Sequence, residues 1–156
     1  MIFIEEAVRR FAVFNGIETG ALTVLYPDAG AQSRYKSETF LSKLNYTTTH
    51  ATKVRNTATG QLLSFDVSEV PVDRPLLIVD DICDGGGTFI GIARALRGRG
   101  MTLPLSLYVT HGIFSKGLSS LRSEFTQIYT TNSYLRIPSV ESPHVMDADL
   151  VLSLSA

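Results

Sequence analysis

Three features of the 156-residue chain predict an α/β fold, an open and mostly parallel sheet flanked by helices. Apolar runs of strand length alternate with amphipathic stretches of helix length. One run, Leu76-Leu77-Ile78-Val79, is apolar at every position, as a strand covered on both faces requires. A glycine-rich turn then leads into a helical pattern, the order of a parallel crossover unit, which is right-handed in nearly all sheets.

The elements follow in order. Ile4, Val8, Phe11 and Phe14 recur at helical spacing within residues 2–14, and Asn15-Gly16 closes that helix. Residues 21–26 form an apolar strand ending at Pro27, and a polar loop is predicted from Pro27 to Gln32. Tyr35, Phe40, Leu41 and Leu44 predict a helix over 33–44. Residues 46–52, with Thr47, Thr48 and Thr49, are β-prone. Thr59-Gly60 marks a turn between two extended pieces, the second being Leu62 to Val67. Pro75 starts the strand at 76–79, and a helix is expected over 88–98 with Ile92, Ala93 and Leu96 on one face. A strand at 105–109, a helix at 115–124 and a short strand at 127–131 complete the pattern. Ligands of open α/β sheets sit at the carboxyl ends of the strands, so the segments of interest are 27–32, 80–88 and 110–116.

Composition narrows the function. Hydrophobic residues are 44% and charged residues 19%, which is globular and excludes a disordered chain. Fourteen basic and fifteen acidic side chains give a net charge of −1, so no indiscriminate nucleic-acid binding is expected. No apolar run approaches the roughly 20 residues of a membrane helix, and Glu5 and Glu6 interrupt any signal-peptide core after Ile2-Phe3-Ile4. The single cysteine, Cys83, suits a reducing compartment. The expectation is one domain over residues 1–156, soluble and cytoplasmic.

The chemistry is concentrated in Leu76 to Thr88. The strand delivers Asp80 and Asp81, whose carboxylates accept hydrogen bonds and so suit vicinal hydroxyls such as those of a ribose. Gly85, Gly86 and Gly87 let the backbone approach a ligand, and their N–H groups with the following helix N-terminus form an anion site. Thr88 adds a hydroxyl donor. Asp80, Asp81 and Asp84 repel one another unless hydroxyls, cations or donors compensate, which argues against a plain turn. No Gly-Lys-[Ser/Thr] follows the glycines and no Gly-x-Gly-x-x-Gly occurs there, which excludes a nucleotide P-loop and a dinucleotide fingerprint.

This stretch resembles the phosphoribosyl diphosphate signature of type I phosphoribosyltransferases and ribose-phosphate diphosphokinases. The resemblance implies a phosphoribosyltransferase-like fold, with Asp80 and Asp81 on the ribose and Asp84, Gly85, Gly86, Gly87 and Thr88 on the 5-phosphate. Gly85 stands where that family usually carries Thr. Pro27-Asp28-Ala29-Gly30 resembles the diphosphate loop of the diphosphokinases, and Thr110-His111-Gly112-Ile113-Phe114-Ser115 a further stretch of theirs. Lys53-Val54-Arg55 falls where they have a mobile loop with a catalytic Lys and Arg. The resemblance covers roughly residues 20–131 and matches the C-terminal half of such enzymes.

It implies transfer of diphosphate from ATP to ribose 5-phosphate, with Mg²⁺ as cofactor and Asp28 as its protein ligand. Lys53 and Arg55 would close over the phosphates. Partners are expected to be ribose 5-phosphate or phosphoribosyl diphosphate and ATP, with no nucleic acid or membrane, and with a homo-oligomer or an N-terminal domain completing the nucleotide site. Two alternatives stay open. One is a phosphoribosyltransferase joining phosphoribosyl diphosphate to a base, for which residues 132–148 are the only spare segment for a hood. The other is a non-catalytic ribose-phosphate binding module. His111 reads as a phosphate donor or as a structural residue bonded to a backbone carbonyl, His50 and His144 stand in no pattern, and Cys83 reads as packing.

Overall fold

The computed structural model describes residues 2–36, 44–131, 133–134 and 152–155. Helix α1 (Ile2–Phe14) precedes a 3₁₀ turn at Thr19–Ala21, strand β1 (Thr23–Tyr26) and helix α2 (Ala29–Lys36). Then come β2 (Thr47–His50), β3 (Thr52–Arg55), β4 (Leu62–Asp66), β5 (Leu76–Cys83), α3 (Gly87–Gly98), β6 (Leu105–Gly112), α4 (Ser119–Arg122), β7 (Gln127–Thr130) and β8 (Leu152–Ser155). The main sheet has the order β2-β1-β5-β6-β7-β8, parallel throughout except for the antiparallel edge pair β7–β8. The α/β fold with a mostly parallel sheet is thus as expected. Among the described residues no helix is long and apolar enough to cross a membrane.

The side-chain period of 2 along β5 divides the core. Leu77 and Val79 join Ile4, Val8 and Phe11 of α1 on one face. Leu76 and Ile78 join Phe89, Ile92 and Leu96 of α3 on the other. All four β5 residues are fully buried, which is why the run is apolar at every position.

Several boundaries differ from the sequence reading. The polar loop after Pro27 shrinks to two residues, because Asp28 caps a helix that starts at Ala29. Asp28 Oδ1 accepts the Ala31 N–H at 2.9 Å, and its carbonyl accepts the Gln32 N–H at 3.1 Å. The expected continuation of that helix, residues 37–43, lies outside the described residues. The helix expected over 115–124 is only Ser119–Arg122. Phe114 (φ 49°) and Gly117 (φ 72°) occupy the left-handed region, and the turn they make takes up the rest. Strands β5 and β6 each run further than their apolar cores, because the paired ladder continues to Cys83↔Gly112. Asp80 and Asp81 therefore lie inside a strand, not beyond its end, and so does Thr110-His111-Gly112. The sequence reading assigned no element to β8.

The β3–β4 hairpin stands off the main sheet as its own antiparallel pair. Its turn is built from Asn56, whose Oδ1 accepts the Ala58 and Thr59 N–H groups at 2.8 and 3.1 Å, and from Gly60 at φ 70°. The hairpin docks on α3 through Phe65, whose ring fills the place a side chain would take at Gly91. A Cβ there would meet Phe65 Cε2 at 2.5 Å. Lys53 is the cross-strand partner of Phe65, so this dock also sets where Lys53 stands.

Gly91→Ala is expected to destabilise the protein by about 1–3 kcal/mol through overpacking. In a Phe65→Ala background the same change should stabilise by up to about 1 kcal/mol, because Ala is the better helix former. Chemical denaturation of the four proteins of this cycle checks it; the same sign in both backgrounds would show that Phe65 does not occupy that space.

Candidate functional site

Parallel packing brings the carboxyl ends of β1, β5 and β6 to one edge of the sheet. Where β5 passes into α3 lies a cavity of about 200 Å³ lined by Lys53, Asp80, Ile82, Asp84, Gly85, Gly86, Gly87, Thr88 and Phe89. The expected phosphate stretch, one of the two expected ribose acids and the expected catalytic lysine therefore share one wall.

The turn from β5 to α3 explains the cradle. Gly86 caps α3 at φ 75°, a conformation that costs glycine little and other residues more. The first intrahelical bond of α3 runs from the Ile90 N–H to the Gly86 carbonyl at 3.0 Å. The N–H groups of Gly87, Thr88 and Phe89 precede that bond and belong to the unsatisfied first turn, where the helix dipole favours an anion. Gly87 is open, since a Cβ there would meet nothing within 4 Å. The turn is tied to the next strand's exit, because the Cys83 carbonyl accepts both the Ile113 and Phe114 N–H groups, at 2.9 and 3.1 Å.

The two acids of β5 are held differently. Asp80 is half-buried and accepts the Asp81 N–H at 2.9 Å. Burial first, and then the neighbouring Asp81 carboxylate, push its pKa from 3.8 to about 6. Asp81 pairs with Arg34 on α2, Nη1 to Oδ2 at 2.8 Å, while Arg34 Nη2 lies 3.8 Å from Asp80 Oδ1. Arg34 is 58% exposed, so this bridge is worth only about 0–1 kcal/mol. The sequence reading missed Arg34. Only its position on a helix capped by Asp28 hints that it faces the acids, 47 residues away in sequence.

Asp28 serves two partners. Oδ1 caps α2 and Oδ2 accepts Lys53 Nζ at 2.9 Å, both of which hold its pKa below the ordinary value, the Ala31 N–H contributing most. Ala29 and Gly30 form the exposed first turn of α2. Among the described residues no three His, Cys, Asp or Glu side chains cluster as a ready metal cage.

Arg55 stands apart from the cavity. The hairpin register shifts between Val54 and Arg55, with Leu63 of β4 as the extra residue, and Arg55 Nη1 donates to the Gly60 carbonyl at 3.2 Å. His111 is exposed, and its Nδ1 lies 2.7 Å from Ser133 Oγ, a hydroxyl where a backbone carbonyl was expected. His50 Nδ1 meets Gln32 Oε1 at 2.8 Å. Cys83 is fully buried and its thiol is pushed up to about 12, chiefly by burial, which fits packing. Residues 132 and 135–148 of the expected hood, His144 included, lie outside the described residues.

No protein-family model matches the chain. Curated relatives do. The chain is 30% identical to the ribose-phosphate pyrophosphokinase of Maricaulis maris over 131 residues, 82% of this chain and 41% of that protein. It is 36% identical to ribose-phosphate pyrophosphokinase 4 of Arabidopsis thaliana over 102 residues, 64% of this chain and 27% of that protein. It thus spans less than half the length of these relatives. The fold matches the crystal structure of phosphoribosylpyrophosphate synthetase from Mycobacterium smegmatis, with a TM-score of 0.58 at 19% identity, over 85% of this chain and 43% of that one. The architecture is of the phosphoribosyltransferase type.

The two acids should affect stability with opposite signs. The pKa of Asp80 is raised on folding, so the folded chain holds its proton more tightly, and stability falls as pH rises from about 4 to about 6. Asp80→Asn is expected to stabilise the protein at pH 7 by on the order of 1–2 kcal/mol, with the gain fading near pH 4. The pKa of Asp28 is lowered, so its contribution is present above the ordinary value of 3.8 and is lost in acid. Asp28→Ala should cost about 1 kcal/mol at pH 7, the usual worth of a helix cap, and less as pH drops. Thermal unfolding of both variants across pH checks this; equal signs at pH 7 would overturn the assignment.

Proposed function

We propose, taking as premise that this chain resembles the ribose-phosphate pyrophosphokinases, that it binds ribose 5-phosphate in the β5–α3 cradle and serves diphosphate transfer from ATP as the C-terminal half of such an enzyme. The observation that carries this reading is the single cavity joining Lys53, Asp80 and residues 84–88. Its lining, a carboxylate at Asp80 and the glycine-rich turn at 84–88, suits a ligand that carries both hydroxyls and a phosphate.

In this reading Asp80 and Asp81 accept hydrogen bonds from the ribose hydroxyls, and Arg34 gives way. Donor hydroxyls favour the ionised carboxyl, so ligand binding draws the raised pKa of Asp80 back down. The N–H groups of Gly87, Thr88 and Phe89, with the Thr88 hydroxyl, take the 5-phosphate. The C1 hydroxyl oxygen then bonds to the β-phosphorus of ATP, the bond from that phosphorus to the bridging oxygen breaks, AMP leaves and the hydroxyl proton is released. The protein's part in such a step is positioning and charge neutralisation. Lys53 sits at the rim of the cavity, on the side of the Asp28 loop, and neutralises the transferring group. Mg²⁺ would neutralise phosphate oxygens, and it usually binds through one or two carboxylates plus substrate phosphates rather than in an all-protein cage. Asp28 offers one such carboxylate, shared with Lys53, so the residues present fit a cation carried in on the polyphosphate.

Arg55, bonded to its own hairpin turn, favours a second reading in which the chain binds the sugar phosphate without turnover. Incubation with Mg²⁺, ATP and ribose 5-phosphate, followed by AMP detection, separates the two. AMP formation supports the first reading. Ribose 5-phosphate binding without AMP supports the second, and diphosphate release from phosphoribosyl diphosphate with a base would displace both in favour of a phosphoribosyltransferase.

Gly87→Val is expected to leave the melting temperature unchanged, because the site is open, and to weaken ribose 5-phosphate binding tenfold or more by blocking backbone approach. Unchanged affinity by calorimetry would remove the phosphate from this loop. Lys53→Ala should lower turnover about a hundredfold while leaving ribose 5-phosphate affinity within about twofold, as for a group that acts on the transferring phosphoryl. Equal loss of both would place Lys53 on the sugar phosphate.

A further inference from the structure

The three consecutive glycines of the cradle have three different surroundings, and one of them is not explained by the backbone or by ligand approach. Gly86 needs its positive φ, and Gly87 faces open space. Gly85 has neither reason. It lies outside the positive-φ region, and the stem of Lys116 packs against the place of its side chain, with Cε at 3.3 Å, Cδ at 3.4 Å and Cγ at 3.8 Å from the Cβ position. A methyl at 85 would crowd this stem by a few tenths of an ångström, and a longer side chain would compete for its place. Lys116 comes from the turn after β6, held beside the cradle by the paired N–H bonds of Ile113 and Phe114 to the Cys83 carbonyl. It is exposed, and among the described residues no carboxylate pairs with it.

The charges around the cavity need such a group. Asp80 and Asp84 line it, and Lys53 is the one cation among its lining residues, itself drawn to Asp28. A dianionic phosphate entering this rim meets two carboxylates. A lysine laid across Gly85 supplies the missing positive charge while its hydrocarbon stem covers the bare backbone.

We propose that Lys116 is a phosphate-binding residue of the cradle, laid across Gly85 so that its ammonium meets the phosphomonoester at the mouth of the site. The proposal rests on the reading that the cradle takes ribose 5-phosphate and adds a residue to it. The site should then discriminate strongly between a phosphorylated and an unphosphorylated sugar, and that discrimination should be sensitive to salt.

The test is calorimetric titration of the full 156-residue chain with ribose 5-phosphate and with ribose, at low and at physiological salt. The variants are Lys116→Met, which keeps the stem and drops the charge, Lys116→Arg, which keeps the charge, and Gly85→Ala, which crowds the stem. Lys116→Met is expected to weaken ribose 5-phosphate binding about five- to tenfold at low salt, with a smaller loss at physiological salt. Weak binding of ribose should not change. Lys116→Arg should stay within about twofold of the parent, and Gly85→Ala should weaken binding in the same direction as Lys116→Met. Parent and Lys116→Met binding alike at both salts would overturn the proposal while leaving the cradle intact. A parent that binds ribose 5-phosphate no better than ribose would overturn the cradle reading itself, and this proposal with it.

Discussion

The structure depends on one strand meeting two opposite demands along its length. The first four residues of β5 are wholly buried between the helical layers, and the next two are carboxylates. Ladder pairing to β6 keeps the backbone straight and satisfied through Cys83, so the acids cannot turn away into solvent as they would in a loop. They stay at fixed positions, partly desolvated and adjacent. Burial raises the cost of charging Asp80, and Arg34 and the Asp81 N–H offset only part of that cost. A site left with unmet acceptor capacity at a rigid position is what a polyhydroxyl ligand can satisfy. The same rigidity that makes the strand a core element is what the proposed role of the pair as a receptor draws on.

What the sequence disclosed follows from which interactions are local. The strand at 76–79 and helix α3 were legible because burial on both faces and helical periodicity leave their marks within a dozen residues. The hairpin was legible from Thr59-Gly60 and its flanking extended pieces. The ends of β5 and β6 were not, since polar residues continue a strand only when a neighbouring ladder holds them. Asp28 was misread as loop because a cap looks like a turn until the helix after it is seen. The short α4 escaped because Phe114, a non-glycine residue, takes a left-handed conformation that no propensity announces. Strand β8 carried a usable signal, since Leu150, Leu152 and Leu154 alternate through the last residues.

The site divides along the same line. The acids and glycines were legible because one short stretch of sequence, the end of β5 and the turn into α3, holds them all. Lys53 entered through family resemblance alone, and the structure adds the physical reason it is near: Phe65 opposite it is seated on Gly91. The contacts of Arg34 and Lys116 were not legible, although Lys116 ends the segment 110–116, because each reaches across a fold-level distance, Arg34 to Asp81 of β5 and Lys116 to Gly85 of the turn after it. Arg55 shows the converse. A motif containing a lysine and an arginine two apart suggests that both serve one ligand, but Arg55 donates to the Gly60 carbonyl of its own turn while Lys53 reaches Asp28.

Lys53 is positioned by two contacts of different kinds, and the difference has a consequence for how the hairpin behaves. The Phe65–Gly91 dock is apolar and buries ring against helix backbone, so it is insensitive to salt and fails only when the shape of either side changes. The Lys53–Asp28 bridge is partly exposed and electrostatic, and is weakened by salt and by any competing charge. On the proposed reading, an incoming polyphosphate would compete for the ammonium of Lys53 without disturbing the dock. The lysine would then pass from Asp28 to that ligand by rotating its own flexible stem, with the hairpin still seated. That division of labour keeps the charge mobile over a few ångströms while its base stays fixed, so the ordering of the whole loop need not be repeated each time the charge changes partners.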